Sequence, residues 1–188
     1  ASMGRTAGRV WGFLQEGETA GAKAGVFLRI PEPLASQFPK SRGDDESPSH
    51  WTIAYLLGRR ASDSDATVVR GKPTDEKPEM PPPNDSERDD IVATVRRSLE
   101  GLTPFELTLE PGVSWFENHK GEQIANKKPD EKSYEKLTEV AQRVRDALGA
   151  EGFVVSFADK PFLAHATLDY CDEREYDGPV PEGTMPVT

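Results

Sequence analysis

Two short stretches of this chain carry side chains that can move protons and hold a phosphate. They are Ser49-His50-Trp51-Thr52-Ile53-Ala54-Tyr55-Leu56 and Phe162-Leu163-Ala164-His165-Ala166-Thr167-Leu168-Asp169-Tyr170, and both read His-x-Thr-(Ile/Leu)-x-Tyr. The chain has three histidines and twelve threonines. Chance alone would place a threonine two residues after two of those histidines roughly one time in a hundred. Each stretch reads as a strand, and strand side chains alternate between faces. His50, Thr52 and Ala54 then share one face, opposite Trp51, Ile53 and Tyr55. Leu163, His165, Thr167 and Asp169 share another, opposite Ala164, Ala166, Leu168 and Tyr170. If the two histidine faces line one small space, two imidazoles flank it with a hydroxyl beside each. That is a geometry for in-line displacement at phosphorus. One imidazole takes a proton from an attacking water and the other gives one to the leaving oxygen. Unperturbed imidazole titrates near pH ~6.5, so both roles are accessible near neutrality. Thr52 and Thr167 can donate to the non-bridging phosphate oxygens. Such chemistry calls for no metal and no other cofactor.

The surrounding pattern supplies elements to position these strands. Residues 25–30 read as a strand closed by Pro31 and Pro33, and the first motif strand runs over 49–57, ended by Gly58. Asn84, Asp85 and Ser86 offer an N-cap, and Ile91, Val92, Val95 and Leu99 recur at helical spacing, so 86–100 is a helix that Gly101 ends. Residues 105–109 and 113–117 are strands, 118–121 a hairpin turn and 122–127 the returning strand. Leu137, Val140, Ala141, Val144 and Leu148 mark the buried stripe of a helix over 132–148. A strand at 153–157 and a turn at 158–161 lead into the second motif. Residues 10–14 suggest an edge strand, 16–24 a linker, 34–38 a helical turn and 39–48 a charged loop. The polar segment 59–85 reads as a surface insertion or lid, and 172–188 as a tail on the surface. Each half thus holds one helix and one His-x-Thr strand. The expected fold class is α+β: a single bilobal domain over 1–188 with its core at about 25–170, two antiparallel sheets facing a central cleft and helices on the outer faces.

Composition narrows the partners. The 188 residues carry a formal net charge of −10, and 30% of them are charged. Duplex nucleic acid binds to basic faces, which this chain does not advertise, so no long duplex is expected. A small anionic ligand suits it better, met by a local basic pocket for which Lys127, Lys128 and Lys160 are candidates. No apolar run approaches the roughly 18 residues needed to span a bilayer, and no leader sequence is visible, so no membrane is expected. Cys171 is the single cysteine, so no disulfide forms within the chain and the reading is a cytoplasmic monomer.

The two motifs, Ser-His50-Trp-Thr52-Ile-Ala-Tyr-Leu-Leu-Gly58 and Pro-Phe-Leu-Ala-His165-Ala-Thr167-Leu-Asp-Tyr, resemble the paired motifs of the 2H phosphoesterase superfamily. That group includes the LigT-type 2′-5′ RNA ligases, RNA cyclic phosphodiesterases and phage-encoded relatives. The similarity in element order extends over about 25–170. The resemblance implies a bilobal, metal-independent phosphodiesterase acting on a 2′,3′-cyclic phosphate or another small cyclic nucleotide or oligonucleotide. By resemblance His50 and His165 are the catalytic pair and Thr52 and Thr167 the phosphate holders. In the hydrolytic direction His165 is read as the base and His50 as the acid. Two alternatives stand beside this: a non-catalytic nucleotide-binding module of the same fold, and a phage anti-defence enzyme degrading cyclic oligonucleotide signals.

Four further residues are candidate substrate contacts: Lys160 ahead of the second motif, Phe162 at its start, and Trp115 and Phe116 beside the hairpin. Of the last two, one belongs to the core and the other reaches the mouth of the site, where it can stack a nucleobase. Trp11 is a weaker candidate of the same kind. Trp51, Tyr55 and Tyr170 fall opposite the histidines and are read as core under a helix. His119 is read as a solvated turn residue and Cys171 as structural. A zinc site on His50 and His165 would need a third ligand, and the acidic run Asp44-Asp45-Glu46 lacks ordered ligand spacing.

Overall fold

A side-chain cap starts each of the two α-helices among the described residues. Asn84 accepts from the Glu87 amide at 2.8 Å while the Glu87 carboxylate accepts from the Asn84 amide at 3.3 Å, a reciprocal capping box. Helix α1 (Asp85–Ser98) follows. Asp130 caps the second helix by accepting from the Ser133 amide at 2.9 Å, and α2 (Glu131–Ala150) buries Leu137, Val140, Ala141, Val144 and Leu148 as its pattern requires. The strands are β1 (Ala24–Arg29), β2 (His50–Arg60), β3 (Phe105–Thr108), β4 (Ser114–Glu117), β5 (Gln123–Lys127), β6 (Phe153–Val155), β7 (Ala166–Cys171) and β8 (Thr184–Val187), with a 3₁₀ turn at Leu34–Gln37. These come from a computed structural model that describes residues 24–39, 49–60, 81–118, 120–156 and 161–187. The edge strand, most of the linker, the loop with Asp44-Asp45-Glu46, residues 61–80 of the insertion, Trp11, His119 and Lys160 lie outside the described residues.

The α+β class holds, but among the described residues the strands form three antiparallel sheets rather than two. Their orders are β1-β2-β6, β4-β5-β7 and β3-β8. The helices pack against each other, and α2 also lies on β2, β3 and β6, so they are not divided one to each half. The core gathers Leu28, Trp51, Ile53, Leu56, Leu107, the α2 stripe and Met185.

Four sequence expectations are corrected here. Strand β2 does not stop at Gly58, because Arg60 still pairs with Phe153 of β6; Gly58 falls inside the irregular register between Leu56 and Arg60. The second motif strand starts at Ala166, and residues 161–165 precede it without strand pairing. The tail does not merely lie on the surface. Its last residues form β8, which pairs with β3 and alternates buried Met185 and Val187 with exposed Thr184 and Pro186. Proline is tolerated there because, among the described residues, β8 is an edge strand paired only with β3. Lys127 is fully buried rather than poised for an anion: its Nζ donates to the Glu110 and Gly112 carbonyls, and burial pulls its pKa down.

Candidate active site

The first motif occupies the start of β2, in the middle of its sheet. Register places Arg29 opposite His50 and Phe27 opposite Thr52, so these four share a face, while Leu28 opposite Trp51 points into the core. Trp51 is fully buried and its indole N–H donates to the Met185 sulfur at 3.4 Å. The Phe27 ring meets His50 edge-on at 4.4 Å. The second motif repeats the device. His165 stands just before β7, and the Phe116 ring meets it edge-on at 4.8 Å. Each imidazole is therefore held by one phenylalanine from another strand. Phe116 is the member of the Trp115–Phe116 pair that reaches the site, and Trp115 packs against the core.

A bulge follows the threonine in both motifs, and it overturns one expectation. Thr52 pairs with Phe27 and Ala54 with Val26, which leaves Ile53 as an extra residue. Thr167 pairs with Asn126 and Asp169 with Ala125, which leaves Leu168 extra in the same place. One inserted residue reverses the alternation beyond it. Tyr55 consequently lands on the Thr52 face, with the two hydroxyl oxygens 3.4 Å apart, and Ile53 and Ala54 are both buried. Tyr170 lands on the Thr167 face and is 54% exposed. Neither tyrosine is core, and Asp169 leaves the histidine face. Burial raises the Tyr170 pKa, as do the neighbouring Tyr55 and Glu122, so its phenol stays protonated and can donate.

The two motifs come together. Strand β2 touches β7 as well as its own sheet neighbours, and His50 is near enough to His165 to help lower its pKa. His165 Nδ1 lies 2.8 Å from the Leu163 carbonyl oxygen, which can only accept. The proton therefore sits on Nδ1 and the Nε2 lone pair is left for chemistry. Burial lowers the His165 pKa most, with His50 and Lys128 adding to it and the Leu163 bond opposing. A neutral imidazole with a free Nε2 can act as a base at neutral pH.

Phe162 is not a surface contact. Its side chain is buried under the Arg145 guanidinium, 5.1 Å from the ring centroid, and the same Arg145 donates from Nε to the carbonyl of bulge residue Ile53 at 3.0 Å. Sequence reading also missed Phe27, Arg29, Asn126, Tyr134 and Arg145. The spacing Gly25-x-Phe27-x-Arg29 on one strand was the available signal for the first two, since alternation puts all three on one side. Asn126 faces Thr167, is fully buried, and its Nδ2 donates to the Ser114 and Ile124 carbonyls. Among the described residues no three His, Cys, Asp or Glu side chains gather as a metal site, and no helix is long and apolar enough to cross a membrane.

No family model matches the sequence, and no curated protein matches it either. Solved structures do. One described as a crystal structure of a phosphoesterase aligns over 90% of this chain and 85% of its own, at 17% identity and a TM-score of 0.50. Usb1 of Kluyveromyces marxianus aligns over 76% of this chain and 66% of its own, at 13% identity and a TM-score of 0.42, a likeness too distant to build on. At 17% identity the likeness is one of fold: the chain shares the fold of a phosphoesterase.

Proposed function

We propose that this chain is a metal-independent phosphodiesterase of the 2H type that opens a 2′,3′-cyclic phosphate or a related small cyclic phosphodiester. The observation that carries the reading is His165: one nitrogen engaged by the Leu163 carbonyl, the other left as acceptor, and the first motif's His50 near enough to help lower its pKa. The shared fold with a phosphoesterase agrees with it.

In the proposed reaction, water attacks phosphorus and gives its proton to His165 Nε2. His50, protonated, gives a proton to the departing ribose oxygen, so a ring P–O bond breaks as the new one forms. Each turnover leaves His165 protonated and His50 neutral, and exchange with solvent restores both. Thr52 and Thr167 donate to the non-bridging oxygens, and the displaced Tyr55 and Tyr170 phenols add donors beside them. Arg29, exposed and opposite His50, supplies a positive charge at the rim, and Lys128 supplies another near His165. These local cations answer how a chain of net charge −10 attracts an anion. Phe116, whose ring meets His165, is the aromatic proposed to stack on a nucleobase.

The test is turnover in EDTA of a panel: 2′,3′-cyclic mononucleotides, an oligonucleotide with a 2′,3′-cyclic end, 2′-5′ oligoadenylate, and 3′-5′ cyclic di- and trinucleotides. Hydrolysis of a 2′,3′-cyclic member supports the proposal and names its class. Cleavage confined to the 3′-5′ cyclic oligonucleotides would redirect it to cyclic oligonucleotide signals. Nucleotide binding without turnover of any member would refute it in favour of a binding module.

A further inference from the structure

Among the described residues, the segment that delivers His165 has no strand partner. Residues 161–165 lie outside β7, yet Phe162 and Ala164 are buried, so their backbone polar groups need partners. One side chain provides two of them. The Tyr134 hydroxyl donates to the Phe162 carbonyl at 3.1 Å and accepts from the Ala164 amide at 3.2 Å. A single phenol thus does for this segment what a neighbouring strand does elsewhere.

The consequence reaches the imidazole through one residue. Leu163 sits between the two groups that Tyr134 holds. In an extended segment its carbonyl points away from those on either side, and it meets His165 Nδ1 at 2.8 Å. Pinning Phe162 and Ala164 therefore fixes where the Leu163 oxygen stands, and that oxygen decides which nitrogen carries the proton. Tyr134 itself is firmly based. It lies in the first turn of α2, its amide donates to the Asp130 carbonyl at 2.7 Å, and the Asp130 amide donates to the Thr108 carbonyl of β3 at 2.8 Å. A chain of bonds runs from β3 through the helix start to the segment whose Leu163 carbonyl meets His165 Nδ1.

We propose that Tyr134 is a positioning residue for His165: its hydroxyl braces residues 162–164 so that the Leu163 carbonyl holds the imidazole as the Nδ1–H tautomer with Nε2 turned to substrate. The consequence for turnover rests on the phosphodiesterase reading; the tautomer does not.

The experiment is nitrogen NMR of the His165 ring in the wild type and in Tyr134→Phe, paired with steady-state kinetics. Wild type should show the Nδ1–H tautomer above the pKa of the ring, and Tyr134→Phe should show a mixture. Turnover should fall in kcat, by up to about the hundredfold that an ångström of misplacement costs, with KM little changed. Val140→Ala, a core cavity on the same helix, is the control for lost stability: it should leave the tautomer intact. A Tyr134→Phe protein with the wild-type tautomer overturns the proposal, whatever the kinetics. If wild type turns over nothing, the phosphodiesterase reading fails and the tautomer still decides this one. Should Tyr134→Phe not fold, hydrogen exchange in wild type serves: the Ala164 amide, outside any strand, should be protected, and rapid exchange there would overturn the brace.

Discussion

Gly25 is the position where one added carbon should be felt at the site. A Cβ built there would stand 2.6 Å from the tip of the Phe27 ring and 3.0 Å from the next ring atom. Comfortable carbon contacts lie near 3.5–4.0 Å, so in Gly25→Ala the ring must withdraw by about 1 Å. It has little room, because its faces and edges already meet His50 at 4.4 Å and Tyr55 at 6.1 Å between centroids. Overpacking of this kind costs about 1–3 kcal/mol. Replacing a strand glycine returns about 0.5–1 kcal/mol of chain entropy. The clash outweighs the return through most of that range, and a net loss of up to about 2 kcal/mol should lower Tm by up to about 8 °C in a chain of this size. Activity should fall more than stability explains, by up to about a hundredfold, because Phe27 carries the movement to His50. Thermal denaturation and turnover of a 2′,3′-cyclic nucleotide measure both. Phe27→Leu in the same chain removes the clashing ring tip, so the double variant should lose less stability than the two single losses added together. Gly149→Ala, late in α2 with nothing within 4 Å of its Cβ, is the contrast and should gain about 0.5–1 kcal/mol. An unchanged Tm and full activity in Gly25→Ala would refute the reasoning.

Other expectations follow from the same geometry. The acid limb of the kcat/KM profile should lie below the usual imidazole pKa, since burial lowers His165; a limb above pH ~6.5 would contradict that assignment. The same shift makes stability fall with acid. The unfolded chain takes up its proton first, so the loss begins near pH ~6.5 and continues down to the folded pKa, and His165→Ala should flatten that part of the stability profile. Tyr170→Phe removes one donor and should cost about threefold to tenfold in kcat/KM, the worth of a hydrogen bond, with the fold unchanged by circular dichroism. Met185→Ala should destabilise by about 2–5 kcal/mol in urea unfolding, because the side chain is buried against Trp51 and leaves a cavity.

Much of this was legible because local signals and periodicity agreed. The helix start at Asn84, the α2 stripe and the antiparallel pairing of β4 with β5 all follow from residues within a few positions of each other. The two histidine faces were legible for the same reason as far as each threonine. Beyond it they were not, because a bulge is decided by the partner strand: nothing in Thr-Ile-Ala-Tyr or Thr-Leu-Asp-Tyr announces that Ile53 and Leu168 go unpaired. That one feature moved Tyr55, Tyr170 and Asp169 to the faces opposite those expected. Lys127 misled because its charge suggested a ligand while its environment, the turn at Glu110–Gly112, is 15 residues or more away in sequence. Tyr134 and Arg145 reach the motifs across 28 and 92 residues, distances over which a sequence pattern is silent. The prolines after residue 178 hid the alternation of Met185 and Val187.

The central claim is that two imidazoles share the proton traffic of one displacement. Single-turnover hydrolysis of a 2′,3′-cyclic nucleotide in EDTA, by wild type, His50→Ala and His165→Ala, tests it most directly. The account predicts that each substitution alone removes about 10²–10⁴-fold of the rate, the contribution of one general acid or base, while the folded state persists by circular dichroism. A variant lacking either histidine that keeps the wild-type rate would contradict it.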